Sequence, residues 1–175
     1  MSDAMPPSAH ELLRAAILDL FYETLSRFPP PYAPGPEPAG EPPFRLGEYL
    51  IYQGYLSRRE LRAALQESEE REPGRTIPLG LVLVTRYHVP APVLAMALLL
   101  QTLDRLARTP SLPPRFLGEQ LLSEAAITPQ QLAVVLEQQA DEYVRGQWRR
   151  LGDLIADHGW LDAASLATAV NALRS

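Results

Sequence analysis

The chain has 175 residues and a formal net charge of −5, and all 16 of its basic residues are arginine. Without lysine there is no P-loop Gly-Lys-Ser/Thr, and without cysteine there are neither disulfides nor thiolate metal sites. The acidic balance argues against DNA or RNA as a partner. No apolar run reaches the roughly 18 residues of a membrane span, and Met1 to Pro7 lack the pattern of a secretory signal, so a cytoplasmic protein is expected.

Ser8-Ala9-His10-Glu11 has the form of a capping box. Leu13, Ile17, Leu20, Phe21, Leu25 and Phe28 follow at helical spacing, so residues 9–27 read as an amphipathic helix within an N-terminal section, 1–28. Its apolar stripe either packs back on the rest of the chain as a lid or offers a handle to a partner's groove. Eight prolines between Pro29 and Pro43 remove amide donors and forbid helix, giving an extended connector over 29–43. It reads as a stiff spacer in preference to a docking site for a proline-binding module.

From Phe44 the pattern changes to short helical units. Leu46 to Gln53 forms a short helix, Gly54 stands where a left-handed cap is needed, and Ser57-Arg58-Arg59-Glu60 caps a second helix. The charged run from Glu67 to Gly74 reads as a solvated loop. Leu79 to Val84 is β-branched and apolar, and periodicity leaves strand and buried helix both open. Pro90 and Pro92 open a helix over about Val93–Arg108. Thr109 to Pro114 separates a first section, 44–108, from a second, 115–175. There Thr128-Pro129-Gln130-Gln131 caps a helix running to about Trp148, and Asp162 caps a last helix, Ala163 to Leu173.

These units share columns. A Leu-Gly pair recurs at Leu46-Gly47, Leu79-Gly80, Leu117-Gly118 and Leu151-Gly152, in steps of 33, 38 and 34 residues. Nine residues after each glycine stand Leu56, Val89, Ile127 and Leu161, and fourteen after stand Leu61, Leu94, Leu132 and Leu166. Eighteen after stand Leu65, Leu98, Leu136 and Val170. A period of this length marks a repeated supersecondary unit. The expected fold is therefore mainly α, with four helical hairpins in two tandem pairs and a separate N-terminal helix. A TPR-like solenoid shares the period, but leucines occupy the second-helix places where it wants small residues.

Arg-Leu-Gly, then apolar pairs, a glycine seven residues on and two leucines four apart resemble the MshEN-type, cyclic-di-GMP-binding N-terminal domain of type II secretion and type IV pilus assembly ATPases. The resemblance covers residues 44–175. It implies that tandem copies cradle one ligand, with an arginine two residues before the glycine and a glutamine twenty-one after it. The first copy has Arg45-Leu46-Gly47 but ends on Ser68, and the second has Pro78 in the arginine place but keeps Gln101. The third has Phe116 there, with Arg115 one residue early, and keeps Gln139. The fourth has Arg150-Leu151-Gly152 but ends on Leu173. The implied ligand residues are therefore Arg45, Leu46, Gly47, Gln101, Arg115, Leu117, Gly118, Gln139, Arg150, Leu151 and Gly152.

The chemistry is coherent. Arginine forks onto phosphate or onto guanine O6 and N7, glycine at a helix start lets amides approach an anion, and leucines cover base faces. The alternative for Arg45 and Arg150 is a surface arginine whose stem packs over a junction between units. His10, His88 and His158 are scattered, so no metal or other cofactor is expected, and Asp153 and Asp157 read as solvated. Tyr49, Tyr52 and Tyr55 read as packing. So do Trp148 and Trp160, with guanine stacking the lesser reading. The resembling ATPases carry this domain ahead of a catalytic core that this sequence lacks. The implied protein is not an enzyme but a regulatory module: a cyclic-di-GMP receptor signalling to a pilus, secretion or motility machine, or a docking adaptor of the same fold without nucleotide binding. A protein partner of such a machine would engage the 9–27 helix.

Overall fold

Each of the four Leu-Gly pairs opens a short helix, and a longer helix follows it. In chain order these are α1 (Leu46–Tyr52) and α2 (Arg58–Glu69), α3 (Leu79–Arg86) and α4 (Ala91–Arg108), α5 (Leu117–Ser123) and α6 (Pro129–Val144), and α7 (Leu151–His158) and α8 (Ala163–Arg174). The computed structural model describes residues 15, 18–19, 22–24, 26–69, 77–114 and 116–174. The fold is mainly α, with no strand among the described residues. No helix among them is long and apolar enough to cross a membrane.

The helix starts follow local chemistry. Ser57 and Glu60 exchange side-chain and backbone bonds at the start of α2, and Thr128 and Gln131 do the same for α6. Asp162 accepts from the Ser165 amide at 2.6 Å. Each bond satisfies a first-turn donor that the helix itself cannot. The short helices stop where the chain passes through the left-handed region, at Gly54 (φ 83°), His88 (φ 55°), Ala125 (φ 52°) and Gly159 (φ 69°). Glycine adopts this conformation freely, whereas His88 and Ala125 carry about 1–2 kcal/mol of strain each.

The glycine and leucine columns are one contact seen twice. A Cβ built on Gly47 would lie 2.4 Å from Leu61, on Gly80 3.2 Å from Leu94, and on Gly118 3.2 Å from Leu132. On Gly152 it would lie 3.3 Å from Leu117 and 3.9 Å from Leu166. The leucine fourteen residues on thus seats against the glycine face of its own short helix.

The wider packing is an exchange. Helix α1 packs chiefly on α4, and α3 packs on α2. In the second half α5 packs on α8, and α7 on α6. The middle of the chain repeats the pattern, because α3 lies on α6, α5 on α4, and α4 runs against α6. Leu50, Leu83, Leu94, Leu132, Leu154 and Ile155 are fully enclosed in the resulting core. Sections 44–108 and 115–174 therefore share an apolar interior across the 109–114 connector.

Leu79 to Val84, left open between strand and buried helix, is helical, because burial on α2, α4 and α6 outweighs its β-branched composition. Other boundaries differ from expectation. Glu67 and Glu69 belong to α2. Glu67 pairs with Arg86 at 3.4 Å and accepts from the Tyr87 hydroxyl at 2.7 Å, which extends the helix beyond the predicted loop start. Helix α6 ends at Val144, short of Trp148, and the chain turns at Gly146 (φ 86°).

The proline-rich connector is held to α1. The Tyr32 amide donates to the Gly54 carbonyl at 3.0 Å, the Gly35 amide to the Ile51 carbonyl at 3.1 Å, and the Tyr32 hydroxyl to Glu60 at 2.7 Å. A Cβ on Gly54 would sit 2.4 Å from the Tyr32 carbonyl oxygen. Before the connector, the described residues 15, 18–19, 22–24 and 26–27 are helical, and Leu18 packs on the core. The predicted cap at Ser8 and the stripe residues Leu13, Ile17, Leu20, Phe21 and Leu25 lie outside the described residues.

Candidate functional site

The starts of α3, α5 and α7 meet around a cavity of about 240 Å³. Its wall repeats itself. Pro78, Leu79 and Gly80 on one side answer to Phe116, Leu117 and Gly118 on the other, and Leu94 and Leu98 of α4 answer to Leu132 and Leu136 of α6. Leu46 and Leu151 complete the lining from the first and fourth segments, with Gln139, Trp148 and Arg150 at its polar edge. An apolar enclosure with a few polar groups is the general form of a small-molecule site.

Of the residues that the resemblance implies, Leu46, Leu117, Gly118, Gln139, Arg150 and Leu151 line this cavity. The others go elsewhere. Gly47 is filled by Leu61, and Gly152 faces Leu117 and Leu166. Arg45 is exposed outside the lining, and its amide donates to Glu48 at 3.0 Å. Gln101 lies outside the lining too, and Arg115 lies outside the described residues.

The two glutamines occupy equivalent places. Nε2 of Gln101 donates to the Phe44 carbonyl at 2.9 Å, and Nε2 of Gln139 to the Arg149 carbonyl at 2.9 Å. Each carbonyl stands three residues before the glycine of another segment's short helix. The amides therefore pin first to second segment and third to fourth, and a ligand would find only their oxygens. The Gln101 Oε1 is buried without a hydrogen-bond partner among the described residues.

Arg150 differs from its neighbours in charge pairing. Its side chain is exposed at the cavity edge and makes no ion pair or hydrogen bond among the described residues. The adjacent Arg149 instead pairs with Asp157 at 2.6 Å, and that hydrogen bond raises its pKa above the ordinary arginine value. Asp157 is exposed, as expected, and carries this surface ion pair. Trp148 is half-exposed, edge-on to Tyr143 with ring centroids 6.1 Å apart. Trp160 stacks on His158 at 4.2 Å, and His158 Nε2 meets Gln138 Oε1 at 2.9 Å. Among the described residues no cluster of His, Asp and Glu could hold a metal ion.

Sequence reasoning passed over several of the residues that build this region. Leu94, Leu132, Leu98 and Leu136 stand in the columns fourteen and eighteen after the glycines, so the signal that marked them as core also marked them as cavity wall. Buried polar contacts gave no such signal. Arg105 of α4 and Glu119 of α5 form an enclosed ion pair at 2.7 Å, and Arg105 Nη1 also donates to the Leu112 carbonyl at 2.9 Å. The Tyr49 hydroxyl donates to the fully buried Asp104 at 2.7 Å. These pairs brace the helices behind the cavity. Comparison with protein-family models, curated proteins and solved structures yields no match.

Proposed function

We propose that the chain is a non-catalytic, cytoplasmic receptor for cyclic-di-GMP, passing the ligand's presence to a pilus, secretion or motility machine, as the MshEN-like sequence pattern implies. The observation that carries this reading is the guanidinium of Arg150, unpaired among the described residues, at the edge of an apolar cavity formed by Leu-Gly helix starts. The cavity's 240 Å³ lies below the roughly 300 Å³ at which pockets enclose a whole drug-sized ligand. It suits one base, with leucines on its faces and Arg150 forking onto a phosphate or a guanine edge. Arg45, set apart from the cavity, has no part in this reading.

Titration calorimetry tests it. Cyclic-di-GMP is expected to bind, and Arg150→Ala to weaken it about ten- to a hundredfold, or ~1–3 kcal/mol. The melting temperature should hardly move, because a surface arginine carries little stability. Arg150→Lys should fail as well, since lysine cannot fork, whereas Arg45→Ala should bind like wild type. No heat at about 1 mM ligand, a Kd weaker than about −4 kcal/mol, would refute the receptor.

A second reading is favoured by a specific observation. Both glutamine amides are spent on internal carbonyls, so the cavity offers little polar recognition. On that reading the chain is a docking adaptor of the same fold. A silent titration together with binding to a component of such a machine would establish it.

A further inference from the structure

Two helices carry exposed stripes that match each other. On α2, Arg58, Arg62, Leu65 and Glu69 follow at steps of four, three and four residues, all exposed. On α6, read backwards, Asp141, Glu137, Val134 and Gln130 follow at the same steps, also all exposed. Residues so spaced lie along one helix face. Laid antiparallel, the two stripes set Arg58 against Asp141, Arg62 against Glu137, and Leu65 against Val134.

Each stripe is anomalous by itself. Leu65 is 41% exposed, whereas Leu98 and Leu136 of the same column are 6% and 8% exposed. The inner leucines are covered because α4 and α6 run against each other, while among the described elements α2 packs chiefly on α3. Val134 is 47% exposed in the middle of a well-formed helix. The charges are unusual too. Arg58, Arg59 and Arg62 crowd the first turns of α2, where the helix dipole disfavours cations, and none has a partner among the described residues. Glu137 and Asp141 are likewise without side-chain partners among the described residues. Gln130, Val134 and Glu137 of this stripe line a groove of about 440 Å³ that they share with Glu23, Thr24, Arg27 and Phe28 of the chain's own N-terminal section.

The charge is divided in the same sense. Residues 44–108 contain nine arginines and seven acidic residues, a net of +2, while the rest of the chain contains seven arginines and fourteen acidic residues, a net of −7. We propose that copies of this chain associate head to tail, the α2 stripe of one lying antiparallel on the α6 stripe of the next. The contact is heterologous, so association either closes into a ring or continues as a filament. This inference is independent of whether the cavity binds a nucleotide.

The test is the mass of the full chain by sedimentation equilibrium, over a concentration series. In about 10 mM salt, where the screening length is about 30 Å, the average mass should rise with concentration to a dimer or beyond. In about 1 M salt, where the length is about 3 Å, it should fall toward the monomer. R58E/R62E alone and E137R/D141R alone should each remain monomeric at low salt. An equimolar mixture of the two, or all four changes in one chain, should restore association. R58E/R62E should keep or raise the melting temperature, since it puts acids at a helix start, so loss of association there cannot be loss of fold. A chain that stays monomeric at low salt overturns the proposal. So does an oligomer indifferent to either reversal, which would point to another interface, or a charge swap that fails to restore association.

Discussion

The buried pair Arg105–Glu119 offers the most direct measurement of how the two halves are joined. Both side chains are almost wholly enclosed, with Nε and Oε1 2.7 Å apart. Arg105→Met removes the cation and leaves Glu119 in the interior. Breaking a buried pair from one side costs about 3–5 kcal/mol, because the remaining buried charge loses its counter-charge. The Leu112 carbonyl also loses its donor, adding about 1 kcal/mol. Against a total stability of about 5–15 kcal/mol this is a large fraction. At about 2–4 °C per kcal/mol for a chain of this size, it should lower the melting temperature by roughly 8–24 °C. Glu119→Leu should cost about 3–5 kcal/mol for the converse reason. The double variant should cost only ~0–2 kcal/mol, since an apolar pair of similar volume avoids the desolvation of both ions. Urea denaturation of the four proteins completes the cycle. If the two single effects add to the double within about 0.5 kcal/mol, the residues do not act as a pair and the clamp between α4 and α5 is refuted.

Other substitutions test the packing and the connector. Gly47→Ala should destabilise by ~1–2 kcal/mol in urea denaturation, because its methyl falls 2.4 Å and 2.5 Å from the two Leu61 methyls and Leu61 must change rotamer. Gly80→Ala, with one methyl of Leu94 at 3.2 Å, should stay within ~0.5 kcal/mol of wild type, as the gain in helix propensity offsets the crowding. Burial pushes the Tyr55 hydroxyl, which donates to the Phe28 carbonyl, up to about 12. A raised folded-state pKa gives stability that is complete below the unfolded value of about 10 and is lost as pH rises toward 12. Tyr55→Phe should therefore flatten the decline in melting temperature over that window, and an unchanged slope would exclude Tyr55 as its source. Burial raises Glu60, but donors from the Ser57 amide, the Tyr32 hydroxyl and the Ser57 hydroxyl outweigh it and hold the carboxyl below its ordinary value. That contribution is lost as pH falls through the folded pKa, so Tyr32→Phe should soften the acid limb of the same profile.

The local chemistry of this chain is legible in its sequence, and the partnerships are not. Thr128 with Gln131, Ser57 with Glu60, and Asp162 identify helix starts because a cap satisfies donors within three residues of itself. The mainly helical fold follows from those caps and from the spacing of Leu61 with Leu65 or Leu132 with Leu136. Which helix covers which face is a different question. The apolar face of α1 looks the same in sequence whether it lies on α2 or on α4, and only three-dimensional packing chooses α4. The same limit applies to the site. Arg45 and Arg150 have the same sequence context, and Leu46 and Leu151 both line the cavity, yet of the two arginines only Arg150 borders it. Gln101 and Gln139 have the spacing of ligand groups, and their amides are used as internal ties. Glu119 carries no mark that separates it from a surface acid one residue after a helix glycine.

The exchange of short helices also governs how such a chain can be divided or lengthened. Because α1 rests on α4, and α3 rests on both α2 and α6, no segment supplies the whole cover for its own apolar face. A cut after any one segment exposes leucines on both sides of the break. Loss of residues 115–174 would bare Leu94 and Leu98 together, so neither fragment is expected to persist in solution alone. Growth by copying one segment would leave its short helix without a long helix to lie on, while copying two supplies both. The architecture thus favours inheritance in twos.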